Sequence, residues 1–462
     1  MDHLTVTDVI DATKGTWLPA AIDRTLTGVS TDSRSLQAGS AFFALSGPNF
    51  DGHSFVAQAA AKGAGCAVVA EGGSLPEGIP PEFPVIMVPD TLTALGDLAA
   101  GYRRRFRMKL VGITGSNGKT TTKEMLGRIL ERRYQTRTTR GNLNNLIGLP
   151  LMIFDLSAHT EAAVLEMGMS FPGEIARLCH IADPDLGLIT NIGPAHLESM
   201  KNVAAIAAAK GELFAGLRPD AVALVNIDDH LVMGQAARAG ARQMTYGTSP
   251  KAEIRAGRIE VLTDGRSRFQ LGTPSGSAEI RLNVLGRHNV INALAAAAAG
   301  YCLDMPVEDI QAGLESYRPF SRRMELITMP EGPVVIDDTY NANPVSTTAA
   351  IQTLAEMTVP GRRIVVLGDM LELGSESEAA HQAIGRLVAA LKIDYFFFYG
   401  PMAGMAGAAA VGAGMDRGRV KGGDDHLLMA AEIRKMVKQG DYILIKGSRG
   451  MTMDKVVSAL IS

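Results

Sequence analysis

The run Thr114-Gly115-Ser116-Asn117-Gly118-Lys119-Thr120, followed by Thr121, carries the most explicit chemistry in this 462-residue sequence. Glycines let a backbone curl so that its N–H groups face a polyphosphate, and a helix starting at the loop's end adds partial positive charge. Lys119 is then placed to neutralise the outer phosphates, and the Thr120 hydroxyl to ligate Mg2+. Ile113 stands where a complete Walker A sequence has its first glycine, so the generic match is partial. The run predicts a nucleoside triphosphate site. Alone it does not separate a ligase from a GTPase or a motor.

Further candidates lie at the ends of apolar runs. Glu166 ends Ala163-Val164-Leu165, where a buried carboxylate needs a cation or hydrogen-bond donors to offset desolvation. His196 follows another such run, in Asn191-Ile192-Gly193-Pro194-Ala195-His196, and a lone histidine there is usually structural. Lys210 sits in Ala208-Ala209-Lys210-Gly211-Glu212 on a mostly apolar helix; a lone lysine is normally solvated, and nothing in its spacing alone says otherwise. Gly286-Arg287-His288-Asn289-Val290-Ile291-Asn292 opens an Ala-rich helix, where plain capping is the alternative to ligand binding. Asn226 and Asp228, after Ala223-Leu224-Val225, are weaker candidates. In Ile336-Asp337-Asp338-Thr339-Tyr340-Asn341-Ala342-Asn343-Pro344, Asp338 suits a ribose hydroxyl, although Asp and Asn also build turns.

The elements that must position these residues are legible. Met125, Leu126, Ile129 and Leu130 recur at helical spacing after Lys119. Continuous apolar runs such as Leu188-Ile189-Thr190-Asn191, Val365-Val366-Leu367-Gly368-Asp369 and Ile443-Leu444-Ile445-Lys446-Gly447 alternate with helical patterns. That alternation predicts parallel sheets covered on both faces, with ligands beyond the carboxyl ends of the strands. The basic cluster Arg103-Arg104-Arg105-Phe106-Arg107 reads as a solvated helix end before a new strand. A second helical pattern stops near Tyr317-Arg318-Pro319-Phe320. Three domains follow, near 1–107, 108–317 and 318–462.

Composition narrows the classes. At 46% apolar and 20% charged the chain is that of a soluble globular protein, and its 50 glycines fit many tight loops. A net charge of -3 gives no general case for nucleic acid or anionic lipid as partner. Cys66, Cys179 and Cys302 are far apart and in no metal-ligand spacing, so reduced thiols in a cytoplasmic protein are expected. No basic-then-apolar leader opens the chain, and the Ala-rich run at 293–302 is about half the ~20 residues a bilayer span needs. No membrane insertion is expected.

Taken together, the Thr114–Thr120 loop, the run Gly141-Asn142-Leu143-Asn144-Asn145-Leu146-Ile147-Gly148, Glu166, the His196 loop and Lys210 resemble, in order and context, the central domain of the Mur ligase family. The segment Ser321-Arg322-Arg323-Met324-Glu325 resembles that family's G-R-x-E element, with serine in place of glycine. Ser30-Thr31-Asp32-Ser33-Arg34 and Asp51-Gly52-His53 are similar to its N-terminal domain. Within the family, Asn341-Ala342-Asn343-Pro344, Leu367-Gly368-Asp369-Met370-Leu371-Glu372-Leu373-Gly374 and Lys446-Gly447-Ser448-Arg449-Gly450-Met451 look like members that add D-alanyl-D-alanine. No D-N-P-R run of the diaminopimelate- or lysine-adding members is present.

The resemblance implies an α/β chain in three parts: a small N-terminal α/β UDP-binding domain, a central P-loop-type parallel-sheet ATPase domain, and a C-terminal Rossmann-like α/β domain. It implies ATP and Mg2+, with UDP-MurNAc-tripeptide and D-Ala-D-Ala as substrates, in a monomer's cytoplasmic reaction; a sister ligase adding diaminopimelate or lysine is the alternative. Thr120 and Glu166 would hold one Mg2+, and His196 with a carbamylated Lys210 a second. Lys119, Glu166, His196 and Lys210 form the implied catalytic set. The nucleotide would meet residues 114–121 with His288, Asn289, Asn292, Arg323 (or Arg322) and Asp338. Ser30, Asp32, Ser33, Arg34, Asn142, Asn145, Tyr340, Asn341 and Asn343 would meet the other substrates. A hinge at 317–321 would bring the last domain down to keep water from an acyl phosphate.

Overall fold

The computed structural model describes residues 4–18, 23–48, 50–73, 75–194 and 197–462. Three main sheets follow one another along the chain. The first has five strands in the order Thr16–Leu18, Val85–Val88, Cys66–Ala70, Ala41–Phe43, Val29–Ser30. All neighbours are parallel except Thr16–Leu18, which pairs antiparallel with Val85–Val88. The helix Thr91–Arg103 covers one face, and its start is fixed by the Asp90 carboxylate accepting from the Thr93 N–H.

The basic cluster departs from the expected solvated helix end. Arg103 is buried, its guanidinium donating to the carbonyls of Ala182 and Phe106 at 3.1 and 2.9 Å. Arg105 pairs with Asp8. Arg103 thereby fastens the end of the first helix layer onto the helix Glu174–Ala182 of the next sheet, because a buried guanidinium must find acceptors where the two layers meet.

The second sheet has nine strands: Thr136–Thr138, Ala162–Glu166, Lys109–Thr114, Leu186–Ile189, Val222–Asn226, Arg242–Gly247, Ile254–Val261, Arg266–Thr273 and Gly276–Leu285. The first seven are parallel. The last two turn antiparallel, where an all-parallel arrangement was expected. Arg266–Thr273 alternates buried and half-buried residues, the pattern of a sheet with one wetter face, which antiparallel strands tolerate. Lys109–Thr114 lies between Ala162–Glu166 and Leu186–Ile189, with Ile113 opposite both Glu166 and Leu188. After Lys109–Thr114 the chain goes first to one side of that strand and later to the other. This reversal opens a crevice beyond its carboxyl end. The helix His288–Cys302 lies close against the sheet, with Ala293 through Ala299 all buried, since alanine favours helix and allows close approach.

The third sheet runs Glu325–Thr328, Val334–Asp338, Tyr442–Lys446, Arg363–Gly368, Tyr395–Tyr399, Val420–Gly423, parallel apart from the first strand. Asp338 and Lys446 finish neighbouring strands and meet at one edge. An irregular segment, 317–324, leads into this sheet from the helix Val307–Ser316. All three cysteines are free, Cys66 and Cys179 buried and Cys302 partly so.

Candidate functional site: a cleft between the second and third sheets

The strand Lys109–Thr114 ends at the phosphate-loop sequence, and the helix Lys119–Leu130 begins four residues later. Gly115 and Gly118 take φ of 151° and 79°. A Cβ on Gly115 would lie 1.9 Å from Thr190 Oγ1, and one on Gly118 2.2 Å from Asn292 Oδ1. Gly115→Ala is therefore expected to destabilise the fold by about 2 kcal/mol or more and to weaken nucleotide binding. Thermal unfolding and an ADP titration check this; an unshifted Tm with wild-type affinity would contradict the crowding.

The loop is held from behind by the segment after Leu186–Ile189. Ser116 N–H donates to the Asn191 carbonyl at 2.9 Å and Asn117 N–H to Asn191 Oδ1 at 2.9 Å. Ser116 Oγ donates to the Gly193 carbonyl, and Thr190 Oγ1 to that of Asn117. Two loop N–H groups are thus committed to Asn191 and do not point inward as expected. Those of residues 118–121, the first turn of the helix, meet no acceptor among the described residues. Free N–H groups at the start of a twelve-residue helix, beside the Lys119 ammonium, suit an anion. Lys119 Nζ rests on the Gly115 carbonyl at 2.7 Å. Desolvation lowers its pKa, the Glu166 charge pulls the other way, and Arg323 lowers it further.

Glu166, 4% exposed, is gripped at both oxygens: Thr120 Oγ1 donates to Oε2 at 3.0 Å, and Asn144 Nδ2 to Oε1 at 2.9 Å. Its own N–H donates to Thr139 Oγ1. No sequence signal sets Asn144 apart: three asparagines in four positions do not reveal which one turns inward. Lys210 is 2% exposed, not the solvated side chain expected of a lone lysine. Among the described residues no acceptor holds its ammonium. Burial, then the Lys119 charge, holds its pKa well below that of an ordinary lysine. His196 lies outside the described residues.

On the opposite wall, His288, Asn289 and Asn292 line the same cleft. Asn289 Nδ2 donates to the Leu285 carbonyl at 2.7 Å and Asn292 Nδ2 to Asn289 Oδ1 at 2.8 Å, and no side chain caps this helix. Burial lowers the His288 pKa, partly opposed by Asp338. Asn226 binds the Thr190 carbonyl and Asp228 the Thr248 and Ser249 backbone, so both brace loops at the cleft's margin.

The third sheet closes the cleft. Arg323 points in: Nη2 donates to Thr120 Oγ1 at 3.2 Å, and the guanidinium lies 4.0 Å from the Tyr340 ring centroid. Arg322 turns away to Asp454 at 3.1 Å. Asp338 accepts from Lys446 Nζ at 2.5 Å, and Lys446 also donates to the Asn341 carbonyl. Asp337, by contrast, is taken up by Thr339 within the turn. Asn343 caps the helix Pro344–Glu356, and its Nδ2 donates to Asn117 Oδ1 at 2.7 Å, linking third sheet to phosphate loop. Asn117 Nδ2 and Arg323 Nε remain buried without an acceptor among the described residues. Asn142 and Asn145 line the cleft too, Asn145 Oδ1 also accepting from Gly148 N–H. The cavity measures about 800 Å3.

Ser30, Asp32, Ser33 and Arg34 are not brought to this cleft. Ser33 Oγ donates to Gln58, and Asp32 is paired with Arg34, whose guanidinium holds the carboxyl down at about 2.

Three family models follow one another along the chain: "Mur ligase family, catalytic domain" over residues 25–103, "Mur ligase middle domain" over 113–300 and "Mur ligase, glutamate ligase domain" over 322–449. The UDP-N-acetylmuramoyl-tripeptide–D-alanyl-D-alanine ligase of Bacillus subtilis (strain 168) is 39% identical, covering 99% of this chain and 98% of its own length. A crystal structure of MurF from Acinetobacter baumannii superposes with a TM-score of 0.90 at 35% identity, covering 100% and 99% of the two chains. The MurF ligase of Thermotoga maritima in complex with ADP matches with a TM-score of 0.83 at 27% identity, covering 94% and 96%. A full-length relative at this identity, three family models in sequence, and a phosphate loop that meets the third sheet across one cleft make the chain a member of the Mur ligase family.

Proposed function

We propose that this chain is an ATP-dependent ligase that joins D-alanyl-D-alanine to the tripeptide of UDP-N-acetylmuramoyl-tripeptide during peptidoglycan precursor synthesis. The observation that carries this reading is the convergence, in one cleft, of a free helix N-terminus with Lys119, the gripped carboxylate of Glu166 and the inward Arg323. The relatives named for this activity support the choice of substrates. The ADP complex of the T. maritima relative supports a nucleotide at the phosphate loop.

The chemistry is carboxylate activation. The tripeptide's terminal carboxylate attacks the γ-phosphorus of ATP, ADP leaves, and the amine of the dipeptide displaces phosphate from the acyl phosphate. Lys119 and the N–H groups of residues 118–121 hold the phosphates in line, with Arg323 facing them from the third sheet. His288, Asn289, Asn292 and Asp338 hold the nucleoside; Asn142, Asn145, Tyr340, Asn341 and Asn343 flank the peptide substrates.

The oxygen donors of Thr120 and Glu166 at the cleft wall fit Mg2+, which prefers hard oxygen ligands. His196 and Lys210 complete the ion-binding set. As an ammonium, Lys210 is a poor fit there: buried, beside a second lysine and without a counter-ion among the described residues. As a neutral amine it adds to the carbon of CO2 and loses a proton, leaving a carbamate whose oxygens suit a cation. When bound, Mg2+ supplies neutralisation of charge on the transferring phosphoryl group.

Segments 1–107, 108–317 and 318–462 take the UDP moiety, the nucleotide and the dipeptide respectively, with Ser30, Asp32, Ser33 and Arg34 on the UDP side. The reaction is a cytoplasmic step carried out by a monomer, and no helix among the described residues is long and apolar enough to cross a membrane.

Phosphate release from Mg·ATP with UDP-MurNAc-tripeptide, measured with and without D-Ala-D-Ala, tests the reading. Release is expected to require both substrates and to yield a UDP-pentapeptide. Release indifferent to D-Ala-D-Ala would point to a sister ligase or an ATPase switch.

A further inference from the structure

The cations around the cleft can be sorted by what already holds them. Lys446 is paired with Asp338, and Arg323 is occupied by Thr120 and the Tyr340 face. Lys119 sits on the Gly115 carbonyl within reach of the Glu166 charge. Lys210 lines the cleft but is buried in its wall. Arg449 differs from all of these. It is exposed, lines the cleft, and its guanidinium meets no carboxylate and no hydrogen-bond acceptor among the described residues. Its backbone is nonetheless fixed, since Arg449 N–H donates to Asn341 Oδ1 at 3.3 Å and the neighbouring Ser448 Oγ donates to the Ala342 carbonyl.

Arg449 also lines a second, smaller hollow of about 130 Å3 that adjoins the cleft and shares Thr120 and Tyr340 with it. Gly141, Asn142, the exposed ring of Phe320 and Lys123 complete its wall, the last buried and already committed to Glu124 and the Thr139 carbonyl. The Tyr340 ring stands between Arg323 at 4.0 Å and Arg449 at 6.0 Å. A small hollow with two aromatic rings, an amide and one uncommitted guanidinium suits a short peptide end: methyl groups against the rings and a carboxylate on the arginine.

We propose that Arg449 seats the C-terminal carboxylate of the incoming D-alanyl-D-alanine, with Tyr340 and Phe320 against its methyl groups, and so selects an acidic-ended dipeptide. The inference rests on the ligase reading above and assigns to it a specificity residue. The dipeptide's amine is then the end left free to approach the activated carboxylate. The nucleotide's phosphates, already facing Lys119 and Arg323, do not need Arg449.

Steady-state kinetics with D-Ala-D-Ala and with its neutral C-terminal amide, D-alanyl-D-alaninamide, test this. The wild-type protein is expected to favour the acid. Arg449→Ala is expected to raise KM for D-Ala-D-Ala by about 10- to 100-fold, the loss of one charge-assisted contact. The KM values for ATP and the UDP substrate are expected to stay within about twofold, and the preference for acid over amide to collapse. Arg449→Lys, which keeps the charge without the planar fork, is expected to recover part of that preference. A variant that keeps the preference, or that loses ATP or UDP-substrate affinity instead, would overturn the seat while leaving the ligase reading standing. A wild-type protein that turns over neither dipeptide overturns both.

Discussion

A Lys119→Ala variant is expected to lose about a thousandfold or more in ATP-dependent phosphate release. Its ammonium is the one charge the helix start brings directly to the phosphate loop, fixed by the Gly115 carbonyl. Nothing nearby replaces it, because Lys210 is walled in and Arg323 belongs to the opposite sheet. Binding of the UDP substrate is expected to survive, since no first-sheet residue touches this loop's cleft. Calorimetric titration of the variant with the UDP substrate, alongside a phosphate-release assay, checks both halves. Lost UDP-substrate binding in a folded variant would count against separate sites. Lys119→Arg is not expected to rescue, because a forked guanidinium does not fit where a compact ammonium rests on a carbonyl.

Lys210→Ala is expected to lower kcat by about a hundredfold to a thousandfold, with folding intact. The wild-type protein should also respond to CO2. Depleting dissolved CO2 and bicarbonate is expected to reduce activity, and restoring bicarbonate to return it, while the variant ignores both. The sign follows from the burial of Lys210, which favours the neutral amine, the form that reacts with CO2. Carbon NMR with labelled CO2 would report a carbamate signal present in the wild type and missing from the variant. Wild-type activity indifferent to CO2, with no such signal, would leave Lys210 as a buried amine and remove it from the ion-binding set.

Much of this architecture is written locally. Gly115, Gly118 and Lys119 announce a phosphate loop because the backbone turn needs those residues side by side. Continuous apolar runs ending at Glu166, Asp338 and Lys446 announce buried strands of parallel sheets. What the sequence withholds is long-range. The antiparallel turn of the sheet after Ile254–Val261 is carried by strands that alternate polar and apolar residues, whose period says less than a continuous apolar run. Lys210 is invisible as a buried residue because an alanine-rich helix does not mark which side faces inward. Arg103 is read as solvated because a run of arginines looks alike from one position to the next, and only the packing of Glu174–Ala182 picks one out. The choice between Arg322 and Arg323 falls the same way: adjacent residues leave the backbone in opposite directions, one to Asp454 and one to Thr120.

Two donors in the cleft, Asn117 Nδ2 and Arg323 Nε, are buried with no acceptor among the described residues. One belongs to the phosphate loop and the other to the third sheet, and the two sides are already joined by Asn343 and Arg323. A buried donor left unmet costs about 1–3 kcal/mol. A phosphate oxygen reaching both would relieve that cost only while the two sheets stay docked. Nucleotide and docking are then reciprocal partners in one equilibrium: whatever factor the nucleotide adds to the grip of the third sheet, that grip returns to the affinity for nucleotide.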